Sequence, residues 1–275
     1  MAGGDTAVRL MHATIGQDRH AASRFPVAAK ASVLVIAGSD SSGGAGLGRD
    51  IETITALGGA VRPVVTAVTA QSNSAVTATE QMPPALITAQ LQAALADGPA
   101  GAIKVGMLGR AEIVHALAET LLAAPRMPLV LDPVLASSSG CALLDEAGRT
   151  VMRQRLFPFV DLLTPNLPEA AALCGLPQAT TAVEIENQAR SLLALGPRYV
   201  LIKGGHADGP EAVDRLFGAD GTFHRFASPY VPTTLRGTGC MLASAIATAL
   251  ARGRSPVLAC HSAKAFVFER LMEAS

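Results

Sequence analysis

The chain has 275 residues, 49% of them hydrophobic, and its 22 Lys and Arg balance its 22 Asp and Glu. That length supports one large α/β core, and zero formal charge without a basic run or interleaved aromatics argues against a nucleic-acid surface. Cys141, Cys174, Cys240 and Cys260 show no CxxC spacing, which argues against a zinc site or a disulfide framework and points to a reducing, cytoplasmic setting with small molecules as partners.

Residues 1–30 mix Asp5, Arg9, Asp18, Arg19 and Arg24 and lack the apolar segment of a secretory signal. They read as a flexible extension, with an oligomer arm as the alternative, and residues 31–275 read as a single domain. No apolar stretch reaches membrane-spanning length.

From residue 32 onward, short aliphatic runs alternate with longer stretches of helical spacing. The first run, residues 32–37, leads into Gly38-Ser39-Asp40-Ser41-Ser42-Gly43-Gly44-Ala45-Gly46 and a helix opening near Gly46. This loop lacks the Lys-Ser/Thr ending of a Walker A loop, and Arg49 stands where a dinucleotide fingerprint has its third glycine. Two readings are open: a permissive turn, or close backbone approach to a ligand with Asp50 facing the same crevice.

Further runs follow at residues 61–68, 102–105, 129–131, 162–164 and 199–203, with helical stretches at 85–96, 111–123, 145–155 and 182–195. Strands alternating with helices predict a parallel sheet buried on both faces, which is why the strands read as unbroken aliphatic runs. Functional groups are then expected at the carboxyl ends of the strands. Gly106-Met107, Asp132-Pro133-Val134, Thr164-Pro165-Asn166 and Lys203-Gly204-Gly205-His206 fall there.

Asn166 and Glu169 open a helix three residues apart, as a cap or as holders of a magnesium water shell. Lys203 either neutralises phosphate or buries its stem with an exposed head. Taken singly, His206 reads as a loop residue, Met107 as pocket wall or core, and Lys264 as a solvated helix residue. Asp220-Gly221 separates two short runs within residues 213–226 and predicts a hairpin at a sheet edge.

The last motif is Arg236-Gly237-Thr238-Gly239-Cys240, ahead of an apolar run to Ala251. Glycines free the backbone, Thr238 suits a cap, and the helix start would leave its first N–H groups facing an anion. The same field is expected to draw the Cys240 thiol toward neutrality. An ordinary capped core helix is the alternative.

In combination and in this order, the 38–46 loop, Thr69-Ala70-Gln71, Lys104-Val105-Gly106-Met107-Leu108-Gly109, Asp132-Pro133-Val134, Thr164-Pro165-Asn166-Leu167-Pro168-Glu169, Lys203-Gly204-Gly205-His206 and Gly237-Thr238-Gly239-Cys240 resemble the hydroxymethylpyrimidine/phosphomethylpyrimidine kinases of thiamine biosynthesis. The likeness runs from about Ser32 to Leu271. It implies a ribokinase-like three-layer α/β sandwich with a central, mostly parallel sheet and a small β-hairpin edge, as a homodimer. It also implies ATP and Mg²⁺ as cofactors and a small pyrimidine alcohol as substrate. Carried over by motif, Gln71, Gly38, Asp50, Met107 and Val134 would bind the pyrimidine. Gly237, Thr238 and Gly239 would form the anion hole, with Cys240 as base. Asn166 and Glu169 would position the metal, Asp132 would stand near the metal and phosphates, and Lys203 would approach the phosphate chain. Departures occur at Ser138, where the family commonly has Lys, and at Thr234-Leu235-Arg236, where it commonly has Asn-Thr-His. Arg236 is expected to replace lost charge at the phosphates with a forked donor.

Overall fold

The computed structural model describes residues 31–137, 140–204, 209–233 and 235–275. The expectations placed on residues 1–30, Ser138, Gly205, His206 and Thr234 lie outside them.

Among the described residues, nine strands form one sheet: β1 (Ser32–Asp40), β2 (Ala60–Gln71), β3 (Val76–Gln81), β4 (Ala102–Val105), β5 (Leu129–Leu131), β6 (Leu162–Leu163), β7 (Tyr199–Ile202), β8 (Glu211–Gly218) and β9 (Phe223–Pro229). Their spatial order is β3-β2-β1-β4-β5-β6-β7-β8-β9. From β2 through β1 to β7 every pairing is parallel, and antiparallel pairs occur only at the two edges.

Each central strand feeds both faces. In β1, Leu34 and Ile36 join one hydrophobic core while Val33, Val35 and Ala37 join the other. The first core is closed by α2 (Pro84–Leu95), α3 (Ala111–Ala123), α4 (Glu146–Val151), α5 (Leu167–Cys174) and α6 (Ala182–Leu193). The second is closed by α1 (Gly46–Ala56), α7 (Thr238–Ala251) and α8 (Pro256–Glu273). This is the expected three-layer sandwich. Helix α7 is buried on all sides from Met241 to Leu250, which explains why its sequence is apolar throughout instead of amphipathic.

The predicted hairpin forms β8 and β9, with Gly221 at φ 87 in its turn. At the opposite edge, β2 runs past the expected end at Val68 to Gln71 and folds back as β3. That pair is polar and largely exposed, so it carries no aliphatic signature. Residues 145–155 also depart from one continuous helix: after α4 the chain widens into a π turn over Met152–Leu156 and a 3₁₀ turn over Phe157–Phe159.

One polar linkage passes through the second core. Lys104, in the middle of β4, has no exposed surface, and its Nζ lies 2.8 Å from Oδ2 of the equally buried Asp50 on α1. Ser244 of α7 donates to the other Asp50 oxygen at 2.8 Å. Burial works against the ammonium, but the Asp50 carboxylate together with Cys240 and Asp132 outweighs it and holds Lys104 above its usual pKa. Removing one partner of such a pair leaves an uncompensated buried charge, at a cost of about 3–5 kcal/mol. Urea unfolding of Lys104→Met should show a loss of that order, and Asp50→Asn combined with Lys104→Met should recover most of it. A single variant as stable as the parent would show that the pair does not hold these elements together.

Candidate active site

The parallel strands direct their carboxyl ends into one cavity of about 750 Å³. Gln71, Met107 and Val134 line it together with Gly237 to Cys240, Asp132, Glu169 and Lys203. A hollow of about 520 Å³ between α2 and α3 lies away from these ends, and Glu119 is the one ionisable residue among those lining it.

At one end, Gly237 takes the left-handed conformation, φ 73, immediately before α7. A side chain there would collide with the carbonyl of Gly44. The first helical bond runs from the Met241 N–H to the Gly237 carbonyl, so the N–H groups of Thr238, Gly239 and Cys240 precede it at the helix start. Thr238 is the first helical residue and not the expected cap; Gly237 holds the cap position without a side-chain bond. A Cβ on Gly239 would sit 3.3 Å from Lys203 Nζ and 3.5 Å from Asp132 Oδ2, so the bare backbone lets the helix start approach the charged groups.

Those charges sit just past the ends of β5 and β7. Lys203 Nζ lies 2.7 Å from Asp132 Oδ1 and 3.8 Å from Glu169 Oε2, and the Thr164 hydroxyl donates to Asp132 Oδ1 at 3.3 Å. Burial opposes the Lys203 charge, yet Asp132 and then Glu169 outweigh it and keep its pKa high. Burial raises the Glu169 carboxyl, with Lys203 pulling the other way. Asn166 and Glu169 close a reciprocal capping box: each side chain accepts the other's backbone N–H at 2.8 Å. The cap reading is therefore realised, while both side chains still face the cavity. Among the described residues, no three His, Cys, Asp or Glu gather as a ready cation cage. Two carboxylates nevertheless share one ammonium, and this all-oxygen donor set with spare negative charge suits a hard divalent ion.

At the other end, Gln71 closes β2. Its backbone N–H donates to Ser41 Oγ at 2.8 Å, the Ser41 hydroxyl returns a bond to its carbonyl at 3.0 Å, and Thr69 donates to its Oε1 at 3.3 Å. A Cβ on Gly38 would lie 2.9 Å from Met107 Sδ, so Met107 packs directly on that glycine.

Four expectations require correction. Asp50 does not face the cavity: it is sealed against Lys104 and Ser244, because an ammonium in an aliphatic sheet needs a carboxylate. The Cys240 thiol is not drawn toward neutrality: burial pushes it up to about 11, exceeding the opposing pull of Lys104. Arg236 is not a free forked donor: its guanidinium is held by Asp40, Ser42 and Asn73. Lys264 is not a solvated residue, since its Nζ lies 3.0 Å from Asp214 Oδ2 beside an apolar lobe of the cavity that includes Phe268 and Leu271. Sequence reasoning assigned no role to Lys104, although a lone lysine within an aliphatic run signals a buried partner.

A family model described as phosphomethylpyrimidine kinase matches residues 40–275. The thiamine biosynthesis bifunctional protein ThiED of Geobacter sulfurreducens is 44% identical over 82% of the chain, but the match covers 46% of that relative. The chain thus spans about half the length of the bifunctional relatives it matches. The hydroxymethylpyrimidine/phosphomethylpyrimidine kinase of Salmonella typhimurium is 41% identical, covering 88% of this chain and 91% of that one. Pyridoxal kinase from Staphylococcus aureus, solved with AMP-PCP and pyridoxal, superposes with a TM-score of 0.79 at 33% identity, covering 87% of each chain.

The geometry at Gly237 sets a further expectation. Gly237→Ala forces a side chain into the left-handed region, at about 1–3 kcal/mol, and against the Gly44 carbonyl. In an assay of the phosphorylation for which its relatives are named, kcat/KM should fall at least about tenfold (~1.4 kcal/mol) with the circular dichroism spectrum retained. Unchanged kcat/KM would remove the α7 start from the reacting region.

Proposed function

The chain belongs to the phosphomethylpyrimidine kinase family, and on that premise we propose that it transfers the γ-phosphoryl group of ATP to the hydroxymethyl oxygen of 4-amino-5-hydroxymethyl-2-methylpyrimidine, and then to the resulting monophosphate, in thiamine biosynthesis. The observation that carries this reading is the single cavity joining Gln71 and Met107 to the start of α7. Separate cavities could not present an acceptor oxygen to a phosphoryl group.

Phosphoryl transfer asks little covalent chemistry of a protein, so positioning and charge neutralisation dominate. Bound ATP would supply the phosphoryl group and Mg²⁺ would neutralise part of its charge, with Asp132, Asn166 and Glu169 holding the cation. The N–H groups of Thr238, Gly239 and Cys240 would receive the transferring group's oxygens, and Lys203 would offset charge along the phosphate chain. Gly38, Met107 and Val134 would shape the ring pocket, and Gln71 would hydrogen-bond the ring. By the same family likeness, the working unit would be a cytoplasmic homodimer.

The two steps differ in their demand on a base. The first acceptor is an alcohol that must lose a proton; the second is already an ionised phosphate. Cys240 serves as a base only in its thiolate form, and with the thiol at about 11 the thiolate fraction grows as pH rises. Between pH 7 and 9 the first phosphorylation should therefore accelerate. In Cys240→Ala that pH dependence should flatten, with a loss in the first step at least about tenfold greater than in the second. Equal losses in both half-reactions would leave Cys240 a packing or anion-hole role only.

A coupled ADP-release assay on the pyrimidine alcohol, its monophosphate and pyridoxal tests the whole reading. Pyridoxal is included because the superposable Staphylococcus aureus enzyme is a pyridoxal kinase. Turnover of the two pyrimidines is the expected result. Preference for pyridoxal would reassign the substrate, and binding without turnover would reassign the protein to ligand binding.

A further inference from the structure

Arg236 immediately precedes Gly237, yet its side chain leads away from the helix start and joins two other segments. Its Nη1 donates to Ser42 Oγ at 2.8 Å, to Asn73 Oδ1 at 3.1 Å and to the Ser72 carbonyl at 3.3 Å. Its Nη2 donates to Asp40 Oδ2 at 3.1 Å. The Asp40 side chain is only 4% exposed, and its other oxygen accepts from the N–H of Ser42 at 2.9 Å and from its hydroxyl at 2.8 Å. Glycine at 44 makes room, since a Cβ there would stand 3.0 Å from Nη1.

These bonds bracket Gln71. On one side the Ser41 hydroxyl is paired with the Gln71 backbone. On the other, Arg236 clasps residues 72 and 73 and the two neighbours of Ser41, Asp40 and Ser42. A planar guanidinium can satisfy several acceptors at fixed angles, and its charge is met here by a shielded carboxylate. We propose that Arg236 is a positioning residue for the ring alcohol: by locking the β2–β3 turn to the β1–α1 loop it sets the orientation of Gln71, and it does not act as a phosphate-binding cation. The identity of the ring alcohol rests on the kinase reading; the lock itself does not.

Steady-state kinetics separate the two roles. In Arg236→Ala, KM for the pyrimidine alcohol should rise at least about tenfold (~1.4 kcal/mol), while KM for ATP stays within about twofold. Arg236→Lys keeps the charge but loses the fork, so it should restore little of the pyrimidine KM. Asp40→Asn should act in the same direction, and the double variant should add little to the larger single effect. Amide hydrogen exchange on the unliganded protein needs no substrate and so tests the lock apart from the kinase reading. Residues 71–76 should exchange faster in Arg236→Ala, while α7 remains unchanged. A raised KM for ATP with an unaltered pyrimidine KM would overturn the proposal, as would unchanged exchange across residues 71–76.

Discussion

An ammonium group in the middle of an aliphatic sheet is tolerable only when a carboxylate meets it in the same dry interior, and the Lys104–Asp50 pair meets that condition. The pair joins β4 to α1, and Ser244 adds α7 through the second Asp50 oxygen. Those three elements supply the floor of the cavity and the helix whose start faces it. A well-packed apolar triplet would satisfy burial equally well, but directed bonds also fix rotation and height, which a helix start aimed at a ligand requires. Helix α7 has no polar face with which to orient itself, so Ser244 is one of the few groups on it that specify its seating.

The same logic extends to the charged groups that line the cavity. Lys203 lies between Asp132 and Glu169, at 2.7 and 3.8 Å, and one ammonium cannot neutralise two carboxylates. This surplus of negative charge lies a few ångströms from the bare backbone of Gly239, and its oxygen donors suit the divalent cation proposed there. At Cys240, Lys104 favours the thiolate but burial favours the thiol. The thiol form therefore prevails near neutral pH.

Arg236 ties together two parts of the cavity lining. Residue 236 is continuous with the anion-facing helix, while its guanidinium is engaged with the loop and turn beside Gln71. The left-handed backbone at Gly237, which glycine adopts without strain, lets the chain turn from one segment to the other.

What the sequence by itself determined was the layered α/β architecture and the places where chemistry emerges. Aliphatic runs in β1, β4 and β5, interrupted in β4 by Lys104, are what strands buried on both faces require, and Asp132, Asn166, Lys203 and the Gly237 to Cys240 segment follow from them as strand-end or helix-start residues. The β8–β9 hairpin was legible through Asp220-Gly221 because turn geometry is local. Edge strand β3 was not, because its residues are largely exposed and leave no hydrophobic period. Only the tertiary structure decided the partners of charges: that Asp50 turns inward to Lys104, that Arg236 joins Asp40, and that Lys264 meets Asp214. It also decided that burial outweighs the helix field at Cys240. The physical reason is range: local geometry is written in neighbouring residues, whereas electrostatic pairing and desolvation depend on groups separated by up to 196 positions along the chain and brought together only by packing.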